Sequence, residues 1–232
     1  MYTLLEKEIM EVPVPSPTRT YSPVSHESII KTTLDSLNDH NLVVTNKQYQ
    51  VAANGELLTG TYVIETPDSD FKRMISFINS YNKTRKLGFV TGLQTFVCQN
   101  GCISGDFSFS KKHMGTVGLE IVDAVVNQIS NIDTEYENLK KWFKKAQLQP
   151  LDKRDMAELA GRMFIEQDIL QANQLSVLKK EINKPSFDYG GLNNTAYDFY
   201  QHITHSLKGA HPLKASKQYV KSFDFINETC FI

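Results

Sequence analysis

The spacing of apolar and polar residues predicts that the ordered part of the chain begins with a helix and continues with strands. Ser25 is a favoured N-cap residue, and apolar residues recur after it at helical spacing until the polar run at 38–41. The segments LVVTNKQYQV and ELLTGTYVIE come next and are separated by Asn54-Gly55, a pair typical of a tight β-hairpin. We therefore expect an N-terminal helix and then an antiparallel hairpin.

Two further strands are predicted on either side of a polar turn at 82–85. The segment FKRMISFINSY precedes this turn, and GFVTGLQTFVC comes after it. A second turn is indicated by Asn100-Gly101, after which GDFSFS alternates between apolar and polar residues. The pattern is typical of an antiparallel β-meander.

The remainder of the chain has a helical pattern. Apolar residues at helical spacing predict a long helix from Thr116 to about Gln147, and Pro150 separates this helix from the C-terminal third of the chain. Asp152 and Asn194 are candidate N-caps for later helices. The order of elements predicts an α+β fold with an N-terminal helix, an antiparallel β-meander, a long helix packed on the sheet and a helical C-terminal third.

The N-terminal segment differs in composition from the rest. Residues 1–24 hold four of the eight prolines, which fix φ and remove amide donors. We therefore predict an extended Pro-rich arm over 1–24, without a helix. Residues 25–232 are predicted to form a single α+β domain, whose helical C-terminal part begins at about 150.

Composition and charge limit the classes of function. The 232 residues are 41% apolar and carry a formal net charge of −1, so the whole chain presents no basic field to nucleic acid or membrane. No apolar run approaches about 18 residues, and the N-terminus lacks the basic start of a secretory signal. Three cysteines do not suggest a disulfide framework. We expect a cytoplasmic protein that makes no membrane contact, with any anion-binding surface being local.

The turn between the second pair of strands is the strongest candidate for such a surface. Cations beside an aromatic ring suit a ligand with phosphates and bases, because the charges meet the backbone and the ring stacks. Asn side chains also stabilise tight turns by themselves, so turn chemistry alone remains an alternative. The candidate nucleic-acid-binding residues are Asn79, Ser80, Tyr81, Asn82, Lys83, Arg85, Lys86, Lys111, Lys112 and His113.

Other polar clusters favour ordinary structural roles. Four lysines at 140–145 fit either a solvated helix end or a second anion-binding patch. Cys98, Cys102, His113 and Cys230 could ligate zinc, but their spacing is not that of a zinc knuckle, and His202-x-x-His205 lacks the usual spacing of a zinc pair. We expect no metal, no cofactor and no catalytic residues, and the absence of phosphate-loop and nucleophile-elbow motifs favours a protein that is not an enzyme.

Three segments in order resemble one family. They are INSYNKTRKLGFVTGLQTFVCQNG, then KKHMG, and then NNTAYDFYQHIT about eighty residues later. Together they resemble the phage and plasmid family known as domain of unknown function nine-three-two, over roughly Leu37 to Leu207. The chain departs from the family pattern at Asn82, where Asp is more usual, at 83–85, and at Gln201. The resemblance implies a phage or mobile-element protein in the cytoplasm of a bacterial host, without implying a reaction. The order of helix, meander and long helix is also similar to the core of single-strand annealing proteins.

These observations lead to three hypotheses of function. The first is nucleic-acid binding through the basic hairpin, single-stranded DNA in particular, in replication or recombination. The second is a protein-binding factor that inhibits a host defence or a host enzyme. The third is a metal-dependent enzyme acting on nucleic acid. Annealing proteins are typically rings, so a homo-oligomer is among the expected assemblies.

Overall fold

The computed structural model describes residues 5–67, 71–95, 101–103, 109–111, 117–188, 194–208, 210 and 212–231. It confirms the α+β class. The helices are α1 (Glu6–Met10), α2 (His26–Asp39), α3 (Val117–Leu148), α4 (Lys153–Ile165), α5 (Ala172–Asn183), α6 (Ala196–Leu207) and α7 (Pro212–Cys230). The strands are β1 (Val44–Ala52), β2 (Leu57–Ile64), β3 (Phe71–Ser80), β4 (Leu87–Thr95), β5 (Gly101–Ile103) and β6 (Phe109–Lys111).

The strands form one sheet in the order β1-β2-β3-β4-β5, and β6 pairs with β4. The β1–β2, β2–β3 and β4–β6 pairs are antiparallel, as expected for a meander. Gly60 of β2 lies opposite Phe77 of β3, and a Cβ on Gly60 would stand 2.2 Å from the Phe77 ring. The absence of a side chain at position 60 therefore allows the Phe77 ring to lie across the strand.

The chain divides into two compact units. The first comprises Met1–Pro67, Lys72–Gly92 and Gly105–Glu135, and the second comprises Asp68–Phe71, Leu93–Ser104 and Tyr136–Ile232. The boundary lies inside α3, whereas the sequence pattern predicts that the helical part starts at about 150. The prediction of a single domain over 25–232 is not decided by this division and stays a prediction.

The first unit has its core between the sheet and the helices α2 and α3. Ser25 caps α2 as predicted, since its side chain accepts a hydrogen bond from the Ser28 amide at 2.9 Å. The helix ends where Asn41 adopts a φ of 56° and the Leu42 amide bonds to the Leu37 carbonyl, a Schellman-type closure. The principal buried side chains of this core are Ile29, Ile30, Leu37, Tyr62, Phe77, Phe89, Ile129 and Ile132.

The N-terminal segment is folded against this unit, and the prediction of an arm without helix is wrong at Glu6–Met10. Ile9 of α1 is buried in the core, and the Glu6 carboxylate accepts a hydrogen bond from the Tyr49 hydroxyl at 2.8 Å. Val12 contacts the β1–β2 turn so closely that a Cβ on Gly55 would lie 3.0 Å from it. The energy of these distant contacts, rather than local helix propensity, explains why so short a helix forms.

The second unit is built mainly from helices. Trp142 and Phe143 of α3 lie at its centre, with the Trp142 ring 5.3 Å from that of Tyr200 and 4.6 Å from that of Phe223. Asp152 caps α4 as predicted, through bonds from the Arg154 and Asp155 amides. Thr195, rather than the predicted Asn194, caps α6 in a capping box with Asp198. Across the described part of the chain, none of the helices has the length and apolar character needed to cross a membrane.

Candidate nucleic-acid interface

The turn between β3 and β4 is held in one conformation by its own polar side chains. The Asn82 side-chain oxygen accepts hydrogen bonds from Ser80 Oγ at 2.7 Å, from the Thr84 amide at 3.2 Å and from Thr84 Oγ1 at 2.6 Å. Lys83, at the tip, adopts a φ of 61°. Asn side chains commonly stabilise such turns, so the prediction of turn chemistry at Asn82 agrees with this geometry.

The turn presents cations at one end of the sheet. Lys83 and Lys86 are exposed, and Arg85 is half-buried. The backbone of Lys111 lies opposite Leu87 in the β4–β6 pairing, which brings β6 beside the base of the same turn. The turn and the backbone of β6 are thus adjacent, and the prediction that Lys111 joins the basic surface stays a prediction. Lys112 and His113 lie outside the described residues.

An aromatic ring lies beneath the tip, but it belongs to a residue that the sequence did not single out. Lys83 Nζ lies 4.5 Å from the centroid of the Tyr21 ring, a cation–π contact that fixes the direction of this lysine. The Tyr21 hydroxyl donates a hydrogen bond to the Tyr81 carbonyl at 2.8 Å. Burial, and then the Glu56 carboxylate, raise the pKa of Tyr21, so one acidic group acts close to the basic turn.

Tyr81, Asn79 and Ser80 are buried, which is a correction to the expected surface. The Tyr81 ring stacks on the His26 ring with centroids 4.0 Å apart, and its hydroxyl accepts a hydrogen bond from the His26 amide at 2.7 Å. A ring covered in this way has no face for a base. The Ser80 side chain points into the turn, toward Asn82.

Asn79 belongs to a buried network that joins the hairpin to α2. Its amide nitrogen lies 2.9 Å from the Val24 carbonyl and 2.9 Å from His26 Nδ1, while His26 Nε2 lies 2.8 Å from the Gly55 carbonyl. Because an amide donates to Nδ1 and a carbonyl accepts from Nε2, His26 is held as the neutral tautomer protonated on Nε2. Sequence reasoning missed His26 and Tyr21, since both lie more than 50 positions from Tyr81, which each of them contacts.

The lysine cluster at 140–145 lies on α3 of the second unit. Lys141 and Lys144 are exposed. Lys140 Nζ lies 5.7 Å from the Tyr136 ring centroid and Lys145 Nζ lies 4.5 Å from that of Phe231. Two of the four lysines thus cover aromatic side chains, which is the behaviour of a solvated helix face with packed stems.

The histidine pair of α6 is packed inside the second unit. His205 Nε2 lies 3.6 Å from the Glu181 carboxylate, which also accepts hydrogen bonds from the amide and hydroxyl of Ser186. Burial lowers the pKa of His202 to about 4; the Glu181 carboxylate opposes this shift and His205 adds to it. The arrangement stabilises the α5–α6 contact, and we assign it no reaction.

Cys98 and His113 lie outside the described residues, and the described ones contain no cluster of three or more His, Cys, Asp or Glu side chains arranged to hold a metal ion.

Comparisons with protein-family models, curated proteins and solved structures found no match to this chain.

Proposed function

We propose that the chain binds the phosphate backbone of single-stranded nucleic acid through the β3–β4 turn. The observation that carries the proposal is the presence of three cations on one turn at the end of the sheet, Lys83 and Lys86 with Arg85 between them. Within the part of the chain that the structure describes, neither Lys83 nor Lys86 has a carboxylate partner. Their charge is available to a ligand.

The turn is suited to phosphates because its shape exists before the ligand arrives. The Asn82 hydrogen bonds and the contact of Lys83 with Tyr21 fix the backbone and one cation. A preorganised site loses less conformational entropy on binding. The buried position of Tyr81 removes the expected base stacking, so binding depends on charge and is independent of base sequence.

Membership of the phage family and a role in replication or recombination remain part of the same proposal. They rest on the sequence resemblance, and the cationic turn is compatible with them. The rival function, a protein-binding factor that acts on a host protein, is distinguished by salt dependence. Phosphate contacts release counterions, and a protein interface without them gives a shallow salt slope.

The proposal is tested by fluorescence anisotropy with an oligothymidine of about 20 nucleotides, titrated from about 50 to 200 mM salt. Each phosphate contact to a single strand contributes about −0.7 to the slope of log Kobs against log salt. Replacing Lys83, Arg85 and Lys86 together by Ala should therefore make the slope less steep by about 2. Near 0.1 M salt the same change should weaken binding on the order of 100-fold.

The matched control is the triple change of Lys141, Lys144 and Lys145 to Ala, which removes the same charge from the second unit. It should leave the slope unchanged. If the control variant loses binding and the hairpin variant keeps it, the α3 cluster is the site and the proposal is wrong. If the wild-type protein fails to bind at about 50 mM salt, where such contacts are strongest, the protein-partner function takes its place.

A further inference from the structure

Strand β1 forms one edge of the sheet. Its inner side pairs with β2 from Val44 to Ala52, and within the described ranges no strand pairs with its outer side. The outward amides and carbonyls of an edge strand are a template for pairing with another strand. A nine-residue edge is long compared with the usual strand of five or six residues.

This edge lacks most of the features that protect sheet edges. It contains no proline, and its one irregularity, at Thr45, leaves a regular register from Asn46 to Ala52. Its only charged residue, Lys47, lies 3.3 Å from the Glu6 carboxylate, which offsets the charge. The four side chains from Thr45 to Gln48 are all exposed, so the strand extends beyond the packed core.

We propose that β1 pairs with β1 of a second copy of this chain, antiparallel and across a two-fold axis, so that the sheet continues from one copy into the other. A two-fold axis perpendicular to the sheet keeps the core face of both copies on one side. Side chains alternate between the two faces along a strand. An even-numbered residue of one copy therefore lies opposite an even-numbered residue of the other, and an odd-numbered residue lies opposite an odd-numbered one. The axis therefore passes beside one residue of each copy. The paired length is greatest when this residue is at the middle of β1, so the choice is between Lys47, Gln48 and Tyr49.

Side-chain complementarity selects Gln48. An axis at Lys47 would set two ammonium groups against each other, which is unfavourable. An axis at Tyr49 would oppose two rings, each of which is already packed against Tyr62 and bonded to Glu6. With the axis at Gln48, amides face amides at Gln48 and at Asn46 with Gln50, and Lys47 of one copy lies opposite the uncharged Tyr49 of the other, so no like charges oppose each other.

The interface is small, so the dimer should depend on concentration, as is usual for contacts at the low end of interface size. None of its residues belongs to the β3–β4 turn. Dimerisation through β1 and nucleic-acid binding can therefore be tested independently of each other.

Sedimentation equilibrium from about 5 to about 500 µM tests the assembly. The weight-average mass should rise from the 26.4 kDa of one chain toward twice that value. Gln48→Lys places two like charges on the axis and should weaken the dimer about tenfold or more. Gln50→Lys makes the same change opposite Asn46 and should alter the dimer Kd less than about threefold. Circular dichroism establishes that both variants are folded.

A cysteine on the axis provides the second test. Opposed residues of antiparallel strands have Cα atoms about 4.5–5.5 Å apart, within disulfide reach. After oxidation with diamide, Gln48→Cys should give a covalent dimer beyond the background of the wild-type cysteines, and Gln50→Cys should not. The proposal is overturned if the wild-type chain remains a monomer at all concentrations, if Gln48→Lys dimerises like the wild type, or if both cysteine variants cross-link equally. A wild-type chain that is monomeric but binds an extended peptide would assign the edge to another partner.

Discussion

His202 should make the second unit lose stability as the pH falls from 7 to 4. Burial lowers the pKa of this histidine to about 4, whereas in the unfolded chain it has the ordinary value near 6.5. Between these two values the unfolded state binds more protons than the folded state. The stability that the neutral side chain contributes is therefore fully present above pH 6.5 and is lost as the pH falls through 4.

The loss of stability depends on how far the pKa of His202 is shifted on folding. A difference of about 2.5 pKa units corresponds to about 3 kcal/mol, since each unit is worth about 1.4 kcal/mol. This is a large part of the 5–15 kcal/mol that is typical of a folded domain. Burial also raises the pKa of Asp198, which acts in the opposite direction and adds stability as the pH falls. The comparison must therefore isolate His202.

The measurement uses urea unfolding monitored by the fluorescence of Trp142, the only tryptophan of the chain. This ring is packed in the core of the second unit, beside Tyr200 of the same helix that carries His202, so its signal reports the relevant unit. The wild type is compared with His202→Phe, which cannot be protonated, at half-unit steps between pH 7 and 4. Asp198 is present in both proteins, so its contribution cancels in the difference.

The free energy of unfolding of the wild type should fall by about 3 kcal/mol more than that of His202→Phe over this range. Parallel curves for the wild type and His202→Phe would refute the reasoning. They would show that this histidine binds a proton without cost in the folded state.

Two glycines of the chain should respond oppositely to the same substitution. Gly60→Ala places a Cβ against the Phe77 ring and should lower stability by about 1–3 kcal/mol. Thermal unfolding monitored by circular dichroism measures this loss, and the double variant Gly60→Ala/Phe77→Leu should recover part of it. Gly161→Ala, within α4, meets no atom within 4 Å and should raise stability by about 0.5–1 kcal/mol; a loss there would contradict the helical geometry. Asp152→Ala should cost about 1 kcal/mol in urea unfolding, because it leaves the amides of Arg154 and Asp155 without their acceptor. Asp152→Asn keeps an acceptor and should stay near the wild type, and an equal loss in both variants would count against the capping role.

Local patterns predicted the elements of this fold because their causes are local. Ser25 and Asp152 cap the helices that begin after them, and the polar turn after β3 lies where Asn82 indicated it. The predicted cap of α6 is one residue too early. Asn194 has a φ of 67° and Thr195 makes the capping box with Asp198, a Thr-x-x-acid pattern that the sequence contains.

The candidate site was harder to predict because its residues are buried by distant partners. Tyr81 has the sequence context of an exposed aromatic beside cations, but His26 lies against it and is 55 positions away in the chain. The helix α1 was missed for a similar reason, since Glu6 is held by Tyr49, which lies 43 positions later. Contacts between residues so far apart in the chain leave no periodic pattern in the local sequence. They are visible only in the folded structure.

The core of the first unit places a constraint on the order in which the protein can fold during synthesis. Ile9 of α1 and Ile132 of α3 belong to the same core, so the N-terminal segment cannot complete its packing until α3 has left the ribosome. At about 5–20 residues per second, the roughly 120 residues between them take on the order of 6–25 s to make. Throughout that interval the apolar face of α1 and the sheet lacks its final partner, and the nascent chain is then most open to chaperones. Residues from Tyr136 onward, which supply most of the second unit, are made afterwards.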